Sequence, residues 1–255
     1  MNSKEILIFD ISSEYGHFRK YNTTTSPLTY SIPTRTAIAG VLGAILGMER
    51  EIADGVYPEG AIPVQEYFGK ANCEIAVQIL HSIKKENVAI NLINTAGARE
   101  HFYNLTKAGR TQIEFELLKE PKFRVFLAIK DQDTLNRLAE RIRLKKHHFS
   151  PYLGLAQFTA TVDFVEVTMA EPVQSNGSEF VEFITAVNLS KVIGEPPVEF
   201  DYSSMYSANN MPMEMNRIRE VQEYSEVLIE KNGQPVKARV KEYHRVNNYG
   251  NILFL

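Results

Sequence analysis

The chain has 255 residues, is 44% hydrophobic and 23% charged, and carries a net charge of −3. This fits a globular protein with a sizeable core and excludes a simple polycation, so any polyanion site has to be local. The single cysteine, Cys73, excludes an intrachain disulfide and a cysteine-built zinc site, which fits a reducing cytoplasm.

Lys4 to Ser12 reads as a buried strand, short and rich in Ile and Phe. A polar loop follows through Ser31. Pro33 then suits a first helical turn, and a helix is expected to about Gly47. Its apolar residues cover nearly the whole circumference, so it is expected to be buried on most sides. Gly40, Gly43 and Gly47 share one face at helical spacing. Each costs roughly 1 kcal/mol of helix stability, which predicts another backbone packed closely against that face. The longest apolar run, Thr36 to Met48, is too short for a bilayer span of about 20 residues.

Residues 49 to 72 look irregular. Strands are expected at Glu74 to Ile83, Val88 to Asn94, Ile113 to Leu118 and Phe123 to Ile129, with a polar, basic excursion at 95 to 112. Asp131 to Lys145 has acids at its start, Leu135, Leu138 and Ile142 on one face, and basic residues at its end, which predicts a helix. A strand follows at Thr159 to Thr168. This order, strand-helix-strand-strand-helix-strand, predicts an α+β protein with a ferredoxin-like (RRM-like) domain over residues 1–170, the excursion lying at its middle hairpin. A small β-rich domain is expected over 171–255. It should hold strands at Phe180 to Val187, Tyr224 to Glu230, Val236 to Val246 and Ile252 to Leu255, with a hairpin turn at Asn232-Gly233. The run "DYSSMYSANNMPMEMN" reads as an irregular loop.

Charge is uneven. Gly97 to His148 holds twelve Lys and Arg against seven acids, whereas 160 to 230 is acidic. A polyanion on one side and a protein partner on the other would account for this; ordinary solvated faces would too.

Three stretches carry candidate chemistry. In "GHFRKYNTTTSPLTYSIPTR", His17, Arg19, Lys20 and Arg35 suit phosphates. Hydroxyls such as Thr24 and Ser26 suit backbone oxygens, and Tyr30 offers a stacking face. The start of the following helix offers free N–H groups to an anion. A well-capped loop on a core helix is the alternative. In "KKHHFSPYLGLAQF", Lys146, His147 and His148 form a basic cluster, and Gly154 would let a phosphate approach the backbone. In the excursion, Arg99, Lys107 and Arg110 lie among aromatic residues; a solvated hairpin is the alternative. "KFRVFLAI" lacks the usual RRM sheet signature, which points to RNA binding at loops.

"HFRKYNTTTSPLTYSIPTRTAIAGVLGAILG" resembles the N-terminal signature of the Cas five family, CRISPR-associated RAMP-superfamily proteins, and its wording leans toward the type I-B branch. "SPYLGLAQFTA" is similar to that family's glycine turn before the last RRM strand. The resemblance covers residues 4 to about 168. It implies a non-catalytic Cascade subunit of antiviral defence that holds the 5′ handle of the CRISPR guide RNA (crRNA) and caps the complex. It further implies that residues 95–112 are a thumb contacting the backbone subunit, that the large PAM-reading subunit docks nearby, and that target DNA is met only through the assembled complex. It implies no cofactor, no metal and no membrane. The alternative is a metal-independent endoribonuclease of the type I-C kind. For that chemistry His101, Tyr103 and Lys107, or His147 and His148, have the right side chains. The branch's "GCREF" wording is absent; the chain has "LGLAQF".

Overall fold

A computed structural model describes residues 3–20, 26–53, 55–93 and 110–255. In chain order its strands and helices begin with β1 (Lys4–Ser12), β2 (Tyr15–Gly16), α1 (Arg35–Leu46), α2 (Val64–Tyr67), β3 (Cys73–Ile79), β4 (Lys84–Ile93), β5 (Arg110–Lys119), β6 (Lys122–Ile129), α3 (Gln132–Arg143) and β7 (Thr161–Gln174). They continue with β8 (Val181–Phe183), β9 (Val187–Asn188), β10 (Val198–Glu199), β11 (Tyr206–Met215), β12 (Val221–Glu230), β13 (Val236–Ala238), β14 (Glu242–Val246) and β15 (Gly250–Ile252).

A nine-stranded sheet carries the molecule, in the order β10-β13-β8-β15-β14-β7-β1-β6-β3. Its β7-β1-β6-β3 part is antiparallel throughout, with β1 between β6 and β7. Alternation sends Leu7, Phe9 and Ile11 of β1 into the cluster that holds Ile38, Leu42 and Ile45 of α1 and Leu135, Leu138 and Ile142 of α3. Ile6 and Ile8 face the other way, against Phe126, Ile252 and Phe254. Covered on both faces, β1 carries an apolar run from Ile6 to Phe9, which makes it legible as a buried strand. The β7 strand crosses residue 170, and the strands after it extend the same sheet.

Two smaller sheets flank it. The first pairs β4 with β5 from Lys84↔Lys119 to Ile93↔Arg110, with β2 beside β5. The excursion expected at 95–112 leaves from this hairpin; residues 94–109 lie outside the described residues. The second joins β11, β12 and β9 and sends Met211, Met213, Val227 and Ile229 into the α1 cluster.

Four expectations are corrected. The stretch read as an irregular loop holds β11. Its alternation is masked by Asn209-Asn210 and broken beside Pro212, where the register with β12 shifts. Phe180 to Val187 and Val236 to Val246 are each two strands. Asn232-Gly233 is no hairpin turn. It hands the chain from β12 to β13, which belong to different sheets, and the buried Glu230 carboxylate accepts from Asn232 N and Gln234 N at 2.8 Å each. Finally, the atoms nearest the glycine face of α1 among the described residues belong to side chains, although the backbone beside it does approach, with Phe149 N donating to Ala44 O at 2.9 Å. A Cβ on Gly43 would meet Val64 Cγ2 at 2.7 Å, one on Gly47 would meet the His148 ring, and one on Gly40 would meet nothing within 4 Å. Gly47 itself is the left-handed C-cap at φ 80°.

Candidate nucleic-acid interface

A groove of about 1010 Å³ opens where the two quoted motifs meet. Its floor is the glycine face of α1 with Gly40 and Gly43. One wall is the first motif, with Phe18 and Arg19, and another is the second, from Phe149 to Leu155. Pro212 and Met215 of β11, together with Arg50 and Arg219, complete it.

The two motifs are joined through their backbones. His17 N donates to Leu153 O at 3.0 Å. Gly154 sits at φ +87°, and a Cβ there would lie 1.7 Å from His17 O. Only glycine meets both conditions. The backbone that Gly154 admits is thus the chain's own, where the sequence suggested a phosphate. Across the neck of the first motif, Lys20 N donates to Leu28 O and Tyr30 N to Phe18 O, at 2.8 Å each. Thr29, fully buried, ties this neck to Phe18 N through its hydroxyl and to Glu116 Oε1 through its N–H.

Several expected RNA contacts are structural instead. Arg35 is 3% exposed, and its guanidinium donates to the carbonyls of Met213, Phe68 and Cys73. It fastens α1 to β11 and β3, a use for which a forked, permanently charged donor is suited. His17 is 2% exposed. Its Nδ1 lies 2.9 Å from Glu116 O, and since a carbonyl only accepts, Nδ1 carries the hydrogen. Burial lowers its pKa, so the ring is neutral and no partner for phosphate. Tyr30 is buried, its hydroxyl donating to Asn210 O at 2.8 Å, and the Lys20 ammonium sits 5.7 Å from its ring centroid. At the helix start the Thr34 hydroxyl takes one of the free donors, accepting from Ala37 N at 3.1 Å.

Other expected contacts are exposed. Arg19 lines the groove, and Ser26 stands at the neck of its loop. Lys20 is half-buried, with Nζ donating to Asn209 Oδ1 at 2.7 Å; burial, then Lys85, lowers its pKa. Arg110 is exposed on the hairpin, away from the groove. Lys146, His147 and His148 follow α3 and do not line the groove. Burial, then Lys145, lowers the His147 pKa, and its Nε2 is buried without a hydrogen-bond partner. His148 packs edge-on against Phe149, with ring centroids 4.6 Å apart. Thr24, Arg99 and Lys107, with His101 and Tyr103, lie outside the described residues.

Part of the positive charge expected over 97–148 is paired, and residues 97–109 lie outside the described residues. Lys119 pairs with Glu86 and Arg124 with Asp10, while Lys145 pairs with Asp163. Among the described residues no three His, Cys, Asp or Glu side chains gather to hold a metal ion, and no helix is long and apolar enough to cross a membrane.

The sequence profile of the family described as CRISPR-associated protein (Cas_Cas5) matches residues 6–227, most of the chain and both walls of the groove. The chain belongs to this Cas five family. Among curated protein sequences none matches. A solved structure titled "CRISPR RNA-guided surveillance complex" has the same fold, with a TM-score of 0.51 at 12% identity over 92% of this chain and 91% of that one. Two others are "Crystal structure of Cas protein" (TM-score 0.46, 13% identity, 91% and 98% covered) and "Cryo-EM structure of the Type III-B Cmr-beta bound to cognate target RNA and AMPPnP, state 1" (0.47, 12%, 92% and 86%).

In this Cas five member the groove also recruits residues that sequence reasoning passed over. Gly40 is the open part of the floor. Tyr152 and Phe149 are 41% and 45% exposed although their neighbours Pro151 and Leu153 are buried. Their signal lies in "FSPYLG", where two aromatics flank a proline. Arg50 lies in the segment read only as irregular.

Proposed function

We propose that the chain is the Cascade subunit, type I-B-like, that holds the 5′ handle of the CRISPR guide RNA and caps the complex in antiviral defence, without cutting RNA. One observation carries this reading: the two family motifs, distant in sequence, are fastened together by the His17–Leu153 bond and the Gly154 contact, and a groove opens at their joint. The antiparallel order β7-β1-β6-β3, with α1 and α3 packed on one face, supports the ferredoxin-like reading of residues 1–170. On this reading the β4–β5 hairpin is the stem of the thumb that meets the backbone subunit. Residues 171–255 form the β-rich part, which serves the large PAM-reading subunit, and target DNA is reached through that assembly. The sheet face opposite the helices, where an RRM would bind RNA, is covered by the chain itself: Tyr249 packs edge-on against Phe126 at 5.8 Å, and Phe254 lies in the same cluster. This supports RNA at the groove rather than across the sheet.

The test is a guide-RNA binding titration at several salt concentrations with wild type and Arg19→Ala/Arg50→Ala. Losing two phosphate contacts weakens binding and reduces the slope of log K against log salt by about 1.4, as for a single strand. An unchanged affinity and slope in a folded double variant removes the assignment. The same RNA, incubated without divalent metal, is expected to remain whole. Cleavage leaving a 2′,3′-cyclic phosphate, abolished by His101→Ala or His148→Ala, establishes the nuclease alternative instead.

A further inference from the structure

The interior of the groove is chemically unlike a phosphate site. Phe18, Val41, Met48, Phe115, Pro212 and Met215 line it with carbon. A phosphate oxyanion gains nothing from such a surface and loses its hydration there. Of the charged groups that line it, Arg19, Arg50 and Glu49 belong to exposed residues, and Arg219 is held by Glu51 at 2.6 Å. Two aromatic side chains, Tyr152 and Phe149, stay well exposed beside the buried Pro151 and Leu153. Gly40 leaves the floor open for a flat group. Carbon within and cations on exposed residues invert the pattern that would suit a sugar-phosphate chain lying in the floor.

We propose that the groove takes unpaired nucleotides with their bases turned inward and stacked on Tyr152 and Phe149, the phosphates following the arginine-bearing rim. This rests on the reading that the groove holds RNA and adds the orientation of that RNA. A nucleobase has an apolar face whatever its identity, and stacking on aromatic side chains is how single strands are held without base-edge readout. An A-form duplex cannot enter in this way, because its bases are already paired and stacked on one another.

The experiment measures Kd for the full chain with three probes: a short oligouridine, its abasic counterpart with the same number of phosphates, and a blunt RNA duplex of equal length. The oligouridine is expected to bind about tenfold or more tightly than either of the others, as lost base stacking implies. Tyr152→Ala/Phe149→Ala lowers oligouridine affinity to the abasic level and leaves the salt slope unchanged. Tyr152→Trp, which keeps a stacking face, retains it. Equal wild-type affinity for oligouridine and the abasic strand, sharing one salt slope, overturns the inward orientation while RNA binding itself stands. Binding to none of the three removes both the orientation and the RNA reading.

Discussion

Gly40 and Gly154 both border the groove, and the physical demands on them are opposite. At Gly154 a side chain would be strained by a left-handed backbone and would strike His17 O. Gly154→Ala therefore separates the two motifs, and a melting temperature lower by several degrees is expected, with RNA affinity falling alongside. Gly40 sits in a helix with open space above it. Gly40→Leu gains helix propensity of about 1 kcal/mol, so its melting temperature should hold or rise while RNA affinity drops. A Gly40→Leu protein that binds RNA normally would show that the floor is not used. Sequence revealed the glycines but not which demand each meets, because that depends on what stands opposite. The same limit explains Arg35, His17 and Tyr30. Their side chains suit RNA, yet the carbonyls of Met213, Glu116 and Asn210 that claim them come from elements far along the chain.

Among the elements, the span of α1 is legible from Pro33 and Gly47, although Pro33 stands before the Thr34 cap rather than in the first turn. What it packs against was not readable. Its third-turn glycine is filled by Val64 of the four-residue helix α2, a segment too short and irregular to carry periodicity. Gly43→Leu has to displace that valine. Overpacking of about 1–3 kcal/mol, partly offset by about 1 kcal/mol of helix propensity, predicts a net loss in denaturant midpoint. A Gly43→Leu midpoint at or above wild type would show that α2 yields freely. The α3 helix was legible from its one-sided apolar pattern and its Asp131 cap, whereas β11 was not, since Pro212 and the register shift leave no alternation to read.

For the whole molecule, protonation of the histidines sets the pH response between neutral and mildly acidic conditions. Burial lowers the pKa of His17, His147 and His244 in the folded chain. The unfolded chain, with imidazoles near about 6.5, binds protons first as pH falls, so stability is lost below that value and is restored above it. Melting at pH 5.5 is expected below melting at pH 7.5, and His17→Asn, which removes one of the three groups, should shrink the difference; a higher melting temperature at the lower pH contradicts this. The α+β class was legible because each long element carries its own periodicity. The nine-stranded continuity was not, since the strands that extend the sheet past β7 are as short as two or three residues.

Under the proposed function guide RNA lies in the groove at the joint of the two motifs, and photo-crosslinking reports where it lies. The protein, assembled with its neighbouring subunits and guide RNA carrying 4-thiouridine in the 5′ handle, is irradiated, digested and sequenced by mass spectrometry. Crosslinks are expected in the peptides that hold Tyr152 and Phe149 and in those around Arg19. Crosslinks confined to the sheet face near Tyr249, or absent from this subunit while the handle attaches to another, would contradict it.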